Sequence, residues 1–203
     1  MVPQPLHKDS IKWVPSPSGI YSSKSTWQAI RSRSPIVPWH SLVWFPKAIP
    51  KAGFILWLAI RGRLSTQDKL HLPLSNLKCL LCGDCLENHD HLFFHCPISK
   101  STWEALLDKC GLPHDVVPWQ IHVDLMVTRT QGKDLRSTIR KLCLAVSVYH
   151  IWRERNIRLH DHISRLPNAV LHLIQDTIRC RLLSIRNIHD NEENRALLSC
   201  WHI

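Results

Sequence analysis

Cys79-Leu80-Leu81-Cys82-Gly83-Asp84-Cys85-Leu86-Glu87-Asn88-His89-Asp90-His91-Leu92-Phe93-Phe94-His95-Cys96 is the stretch on which the reading of this chain turns. Taken as ligands, Cys79, Cys82, His91 and Cys96 follow the spacing C-x2-C-x8-H-x4-C. Zinc takes four soft or borderline donors in a tetrahedron, and structural sites draw them from two closely spaced pairs. Gly83 follows the first pair, where the backbone must fold back tightly. The second pair brackets Leu92, Phe93 and Phe94, which carry the site into a hydrophobic core. Cys85, His89 and His95 lie close enough to substitute for a ligand, and Cys82-x2-Cys85 is a second pair of the same form. A catalytic zinc keeps an open position beside a carboxylate base. Glu87 and Asp90 are at hand, but a fourth protein ligand closes the site, so the expectation is a structural Zn2+.

Outward from that stretch, the chain reads as mainly α: a helical domain with an embedded CCHC-type zinc-binding loop and a short N-terminal extended element. Met1 to Ser10 reads as a frayed start, and Ile11–Val14 with Gly19–Tyr21 as two extended pieces around a turn. Ser22 or Ser23 caps a helix through about Arg31 with Trp27 and Ile30 on one face; a loop, Ser32 to Pro38, and a short helix around Trp39–Phe45 follow. Pro50 opens a strongly apolar helix, Lys51–Arg61, expected to be the buried centre of the fold. Ser65 to Asp68 caps a helix through about Leu72. Beyond the metal stretch, Ser99–Cys110 is a helix facing Trp103, Leu106 and Leu107 inward and ended by Gly111. A looser stretch from His114 to Lys133 holds a short helix around Pro118–Met126. Leu135, Ile139, Leu142, Val146, Tyr149 and Trp152 recur at steps of three and four, marking a helix from Lys133 to about His160, and Pro167 starts a last long one. The expected divisions are 11–110, a connecting segment 111–132 and a basic helical region 133–203.

Composition narrows the class of protein. With 44% hydrophobic and 21% charged residues the balance is that of a folded chain. The eight Cys are crowded at one place and scattered elsewhere, unlike a secreted disulfide scaffold. No signal peptide opens the sequence, and the longest apolar run, Ala52–Ile60, is too short to cross a bilayer. The expectation is an intracellular setting, nucleus or cytoplasm, with no membrane partner. A formal charge of +10 favours a polyanionic partner. Arg136, Arg140, Lys141, Arg153, Arg155 and Arg158 are the candidate phosphate contacts for RNA or DNA, without sequence readout. The bland alternative is a solvated helix face.

Cys79-x2-Cys82 followed by His91-Leu92-Phe93-Phe94-His95-Cys96-Pro97 and Trp103 resembles the reverse transcriptase zinc-binding domain found C-terminal to the polymerase in plant LINE-type (non-LTR) retrotransposons. The resemblance covers most of residues 13 to 104. Trp13, Gly19-Ile20-Tyr21-Ser22 and Trp27 are similar to the domain's opening; Ile49-Pro50-Lys51, Leu56-Trp57-Leu58 and Gly62-Arg63-Leu64 to its middle. Ile151-Trp152-Arg153-Glu154-Arg155-Asn156 is similar to a segment that often follows it. Ser65 departs from the family, which commonly has Pro there. The resemblance implies the same four ligands and a role in reverse transcription, with a reverse transcriptase as a partner in trans. It does not imply polymerase activity: neither Tyr precedes an Asp pair that could hold two metals, and no ribonuclease H carboxylate set can be assembled.

Overall fold

The computed structural model describes residues 10–32, 34–70, 77–113 and 117–203. The frayed start over 1–9, the end of the expected helix at 71–72 and part of the looser stretch, 114–116, lie outside the described residues. The chain divides into two compact units, Met1–Val37 and Pro38–Ile203.

In the first unit the Trp13 N–H donates to the Gly19 carbonyl at 2.8 Å, closing a turn in which Gly19 takes φ 70°. Trp13 and Tyr21 meet edge to face, 5.4 Å between ring centroids. Ser22 then caps α1 (Ser23–Ile30) through a capping box with Ser25. Trp27 and Ile30 share the expected face, and both are exposed.

The second unit is helical: α2 (His40–Val43), α3 (Pro50–Ile60), a 3₁₀ turn (Gln67–Lys69), a π-turn (His91–His95), α4 (Pro97–Cys110), α5 (Trp119–Arg129), α6 (Leu135–His160), α7 (Pro167–Leu183) and α8 (Glu192–Ser199). Among the described residues the β pairing is one isolated antiparallel bridge, Lys78 to Leu86. No described helix is long and apolar enough to cross a membrane.

The buried centre is α6, which corrects the expectation that α3 would hold that place. Residues 141–148 of α6 are buried in an unbroken run, so neighbours cover every face of the helix. α3, α4 and α7 all pack on it. α3 instead buries one side, Ala52, Gly53, Leu56 and Ala59, and leaves Phe54 half exposed. Gly53 lets the two helices approach closely: a Cβ there would sit 3.1 Å from the Val43 carbonyl of α2. The helix expected after Thr66 is only the 3₁₀ turn over the described residues.

Sequence periodicity also passed over α8. Asn191 caps it through the Asn194 N–H at 2.7 Å, and Leu197 is its buried residue. Beyond it Trp201 is buried, with the Lys109 ammonium 5.6 Å from its ring and bonded to the Cys200 carbonyl at 2.9 Å. In the core between α4 and α6, the sulfurs of Cys110 and Cys143 lie 3.3 Å apart, and burial pushes the Cys143 thiol up from its ordinary range.

A candidate metal centre clamped by two arginines

The first two donors sit on a turn closed by backbone bonds. Cys79 N–H donates to the Cys85 carbonyl at 2.7 Å, Gly83 N–H to the Cys79 carbonyl at 2.8 Å, and Glu87 N–H to the Leu77 carbonyl at 2.7 Å. Gly83 holds φ 77°, the left-handed conformation that glycine adopts at least cost. The Leu81 N–H points at the Cys79 sulfur, 3.4 Å away.

The other two donors come from a wide helical turn. In an α-helix, residues five apart lie about 140° around the axis from one another, so His91 and Cys96 would face different ways. The π-turn over His91–His95 removes that offset: Cys96 N–H bonds to the His91 carbonyl at 2.6 Å, the i to i+5 pattern. Asn88 accepts the His91 N–H at 2.8 Å at its start, and the buried Ser99 hydroxyl donates to the Leu92 carbonyl at 2.6 Å. Cys96 ends this turn and caps α4, whose first residue is Pro97.

The four donor atoms of Cys79, Cys82, His91 and Cys96 lie within 4.8 Å of one another. The Cys79 and Cys96 sulfurs are 4.0 Å apart, and the Cys82 sulfur is 3.3 Å from His91 Nε2. Zinc–sulfur and zinc–nitrogen bonds of about 2.3 and 2.05 Å in a tetrahedron give edges of about 3.8 Å (S to S) and about 3.5 Å (S to N). The donor set and its spacing therefore fit a four-coordinate ion of that size. The two buried sulfurs face each other and shift in opposite directions: Cys79 is pushed up by Cys96 and by burial, and Cys96 is drawn down by Cys79. Burial, with His95 nearby, lowers His91, the direction that favours the neutral ring ligation requires.

The neighbouring Cys and His residues are placed otherwise. Cys85 and His95 are exposed. The His89 ring stands edge-on against Trp119 and Phe93, at 4.5 and 4.9 Å, and burial lowers its pKa to about 4. Phe94 stacks on Trp119 at 5.5 Å and meets Trp103 at 5.7 Å. The aromatic pair after His91 is thus seated on α5 and α4, and Trp119 N–H reaches back to the Asp90 carboxylate at 2.6 Å.

A pair of arginines from α6 also ties this loop to the helices of the second unit. Arg155 donates Nη2 and Nε to Glu87 Oε1 at 2.9 and 3.1 Å, with both side chains almost wholly sealed from solvent. Glu87 also accepts the Gln67 N–H at 3.0 Å and the Leu80 N–H at 3.4 Å. One turn on, Arg158 donates Nη1 to the Leu81 carbonyl, between the first two metal donors, at 2.7 Å. Its Nη2 reaches the Arg165 carbonyl at 2.9 Å, and Glu154 accepts from Arg158 Nε and from Arg165 Nη1 at 2.9 Å each. Burial would raise the Glu154 carboxyl, but the Arg165 N–H and these two guanidinium groups outweigh it and hold it below the usual range.

The six expected phosphate contacts are placed as follows. Arg155 is buried and its guanidinium serves Glu87. Arg158 is bound to carbonyls of the metal loop. Arg140 donates to the Cys110 and Arg129 carbonyls, the last residues of α4 and α5, satisfying helix ends. Lys141, 6% exposed, bonds to the Gly132 carbonyl at 3.2 Å. Arg136 pairs with Glu193 at 3.0 Å on the surface, and Arg153 is exposed. The sequence reading missed Glu87 as the counter-charge of Arg155; Glu87 is one of three acids in the Cys/His stretch, with Asp84 and Asp90, and nothing local singles it out.

Residues 21–103 match the model of the family described as zinc-binding in reverse transcriptase. That span contains all four donors and Glu87, and ends before Arg155 and Arg158. No curated protein and no solved structure matches the chain.

Proposed function

We propose that this chain is a non-catalytic module in which Zn2+, held by Cys79, Cys82, His91 and Cys96, fixes the loop 77–96 onto α6, and which binds RNA or DNA without sequence preference through its exposed basic residues. The observation that carries the zinc reading is the closed set of four donors at tetrahedral spacing, clamped from behind by Arg155 and Arg158. With three sulfurs and an imidazole as ligands, no position is left open for a substrate or an attacking water. Zinc would supply folding energy here, since its donors are separate in the unfolded chain. The nucleic-acid part rests on the excess of ten positive charges and on the match of residues 21–103. A plant LINE-type element as source, a reverse transcriptase acting in trans and a nuclear or cytoplasmic setting belong to the same reading.

Metal content of the purified chain, beside Cys79→Ser and His91→Ala, tests the first part. One zinc per chain is expected in the parent and a substoichiometric amount in each variant; full occupancy in both variants would overturn the ligand set. Titration with single-stranded RNA and DNA at several salt concentrations tests the second. Affinity should fall with salt by about 0.7 in log–log slope per phosphate contact.

A second reading, a structural or protein-interaction module whose zinc only stabilises the fold, is favoured by a specific observation. Arg140, Arg155, Arg158 and Arg181 are all committed to internal acids or carbonyls. Absent or salt-independent binding decides for it.

A further inference from the structure

The second unit contains a cleft of about 600 Å³ away from the metal loop, between the start of α6, the segment after α7 and the turn after α2. Five cations line it: Lys47, Lys133, Arg136, Lys141 and Arg186. The two acids among the described lining residues are already engaged. Asp134 caps α6 by accepting the Ser137 N–H at 2.6 Å, and Glu193 pairs with Arg136.

The walls are fixed. Arg181 donates Nε to the Lys47 carbonyl at 2.8 Å, holding the turn after α2 against α7. Asn194 Nδ2 bonds to the His189 carbonyl at 2.7 Å on the far side. Gly132 lets the α6 cap close, because a Cβ there would collide with the Asp134 carboxylate. Lys141 is held at the floor by Gly132, its ammonium 5.7 Å from the Phe45 ring centroid. Phe45, Ile185 and Ile188 give the same cleft an apolar side.

A preformed cleft of this volume, with convergent cations and an apolar wall, has the character of a small-ligand site. Its charge calls for an anion and its wall for something flat and apolar joined to that anion. We infer that this cleft takes one nucleotide unit of a single-stranded nucleic acid, its phosphate between Lys133 and Arg186 and its base toward Phe45 and Ile188. The inference rests on the nucleic-acid reading above and gives it a place in the molecule. It also locates binding away from the α6 arginines that the metal loop consumes.

The test is a titration of the full zinc-loaded chain with a short fluorescein-labelled oligouridylate. Three proteins are compared: the parent, Lys133→Glu/Arg186→Glu, and Lys51→Glu/Arg179→Glu, which changes the charge equally at exposed positions outside the cleft. All four residues are exposed, so thermal unfolding should coincide among the three. The cleft variant should bind at least about 10-fold more weakly than the control variant and lose about 1.4 from the salt slope, two contacts' worth. Equal weakening in both variants would overturn the cleft while leaving nucleic-acid binding standing. No binding by the parent at low salt would overturn both. Uridine monophosphate should displace the strand at lower concentration than inorganic phosphate does; equal displacement would overturn the nucleotide assignment.

Discussion

Arg155 and Glu87 meet at 2.9 Å, 68 residues apart in the chain and almost without solvent on either side. A pair so placed stabilises the native arrangement relative to the loss of one partner, although two well-packed apolar residues can serve as well. Each single change, Glu87→Gln or Arg155→Met, is expected to cost about 3–5 kcal/mol in urea unfolding of the zinc-loaded chain. The double variant should cost clearly less than the sum, because the second change removes an orphaned charge. Additive costs would mean that the two groups stabilise the fold independently.

Thiol reactivity separates the eight cysteines into three classes. Cys85, Cys180 and Cys200 are exposed, Cys110 and Cys143 are buried together, and Cys79, Cys82 and Cys96 belong to the metal set. Brief alkylation of the zinc-loaded chain followed by peptide mass mapping should label the first class alone. Chelation should add the metal set, and denaturant the remaining pair. Protection of Cys85 by zinc, with Cys82 left reactive, would reassign a ligand.

Arg158 touches the metal loop without being a ligand. Its Nη1 satisfies the Leu81 carbonyl and approaches that of Leu80, so it orients the turn carrying Cys79 and Cys82. Removal of such outer partners commonly costs 10- to 100-fold in metal affinity. Arg158→Ala should therefore give up zinc to a competing chelator at a concentration about 10- to 100-fold lower than the parent requires. An unchanged competition curve would assign Arg158 to the Glu154–Arg165 corner alone.

His150 sets an acid limit that is separable from the metal. Thr177 gives its hydroxyl proton to the Leu173 carbonyl at 2.7 Å, so its oxygen accepts from His150 Nε2 at 2.9 Å, and the ring is the neutral Nε2–H tautomer. Burial first, then Arg153 and Arg165, lower its pKa from 6.5 to about 4. The unfolded chain thus takes up this proton at a higher pH than the folded one does. The folded state keeps its full stability above about pH 6.5 and loses up to about 3 kcal/mol as pH falls to about 4. His150→Asn, measured by urea unfolding beside the parent, should flatten that slope. A slope identical in both would remove His150 from the acid response.

The metal donors were legible in the sequence because ligation leaves its mark in local spacing. Helices with strong caps or openings, Ser22 before α1, Pro50, and Gly111 after α4, were legible for the same local reason. Three features were not. The π-turn obeys no apolar period that differs from an α-helix over five residues. α8 carries one buried apolar side chain, too few for a stripe. The commitment of Arg155 to Glu87 could not be read either, because the two are brought together only by the tertiary fold. α3 misled in the opposite direction: its composition promised burial on all sides, but α6 holds the centre and leaves Phe54 at the surface.

The distance in sequence between the metal turn and its arginine clamp imposes an order of events at the ribosome. Cys96 emerges about sixty residues before Arg158. At about 5–20 residues per second, that is an interval of about 3–12 s in which three thiols and an imidazole stand ready without their support. An ion captured then would be held by its ligands alone, and α6, arriving later, would lock in whichever ion was found first.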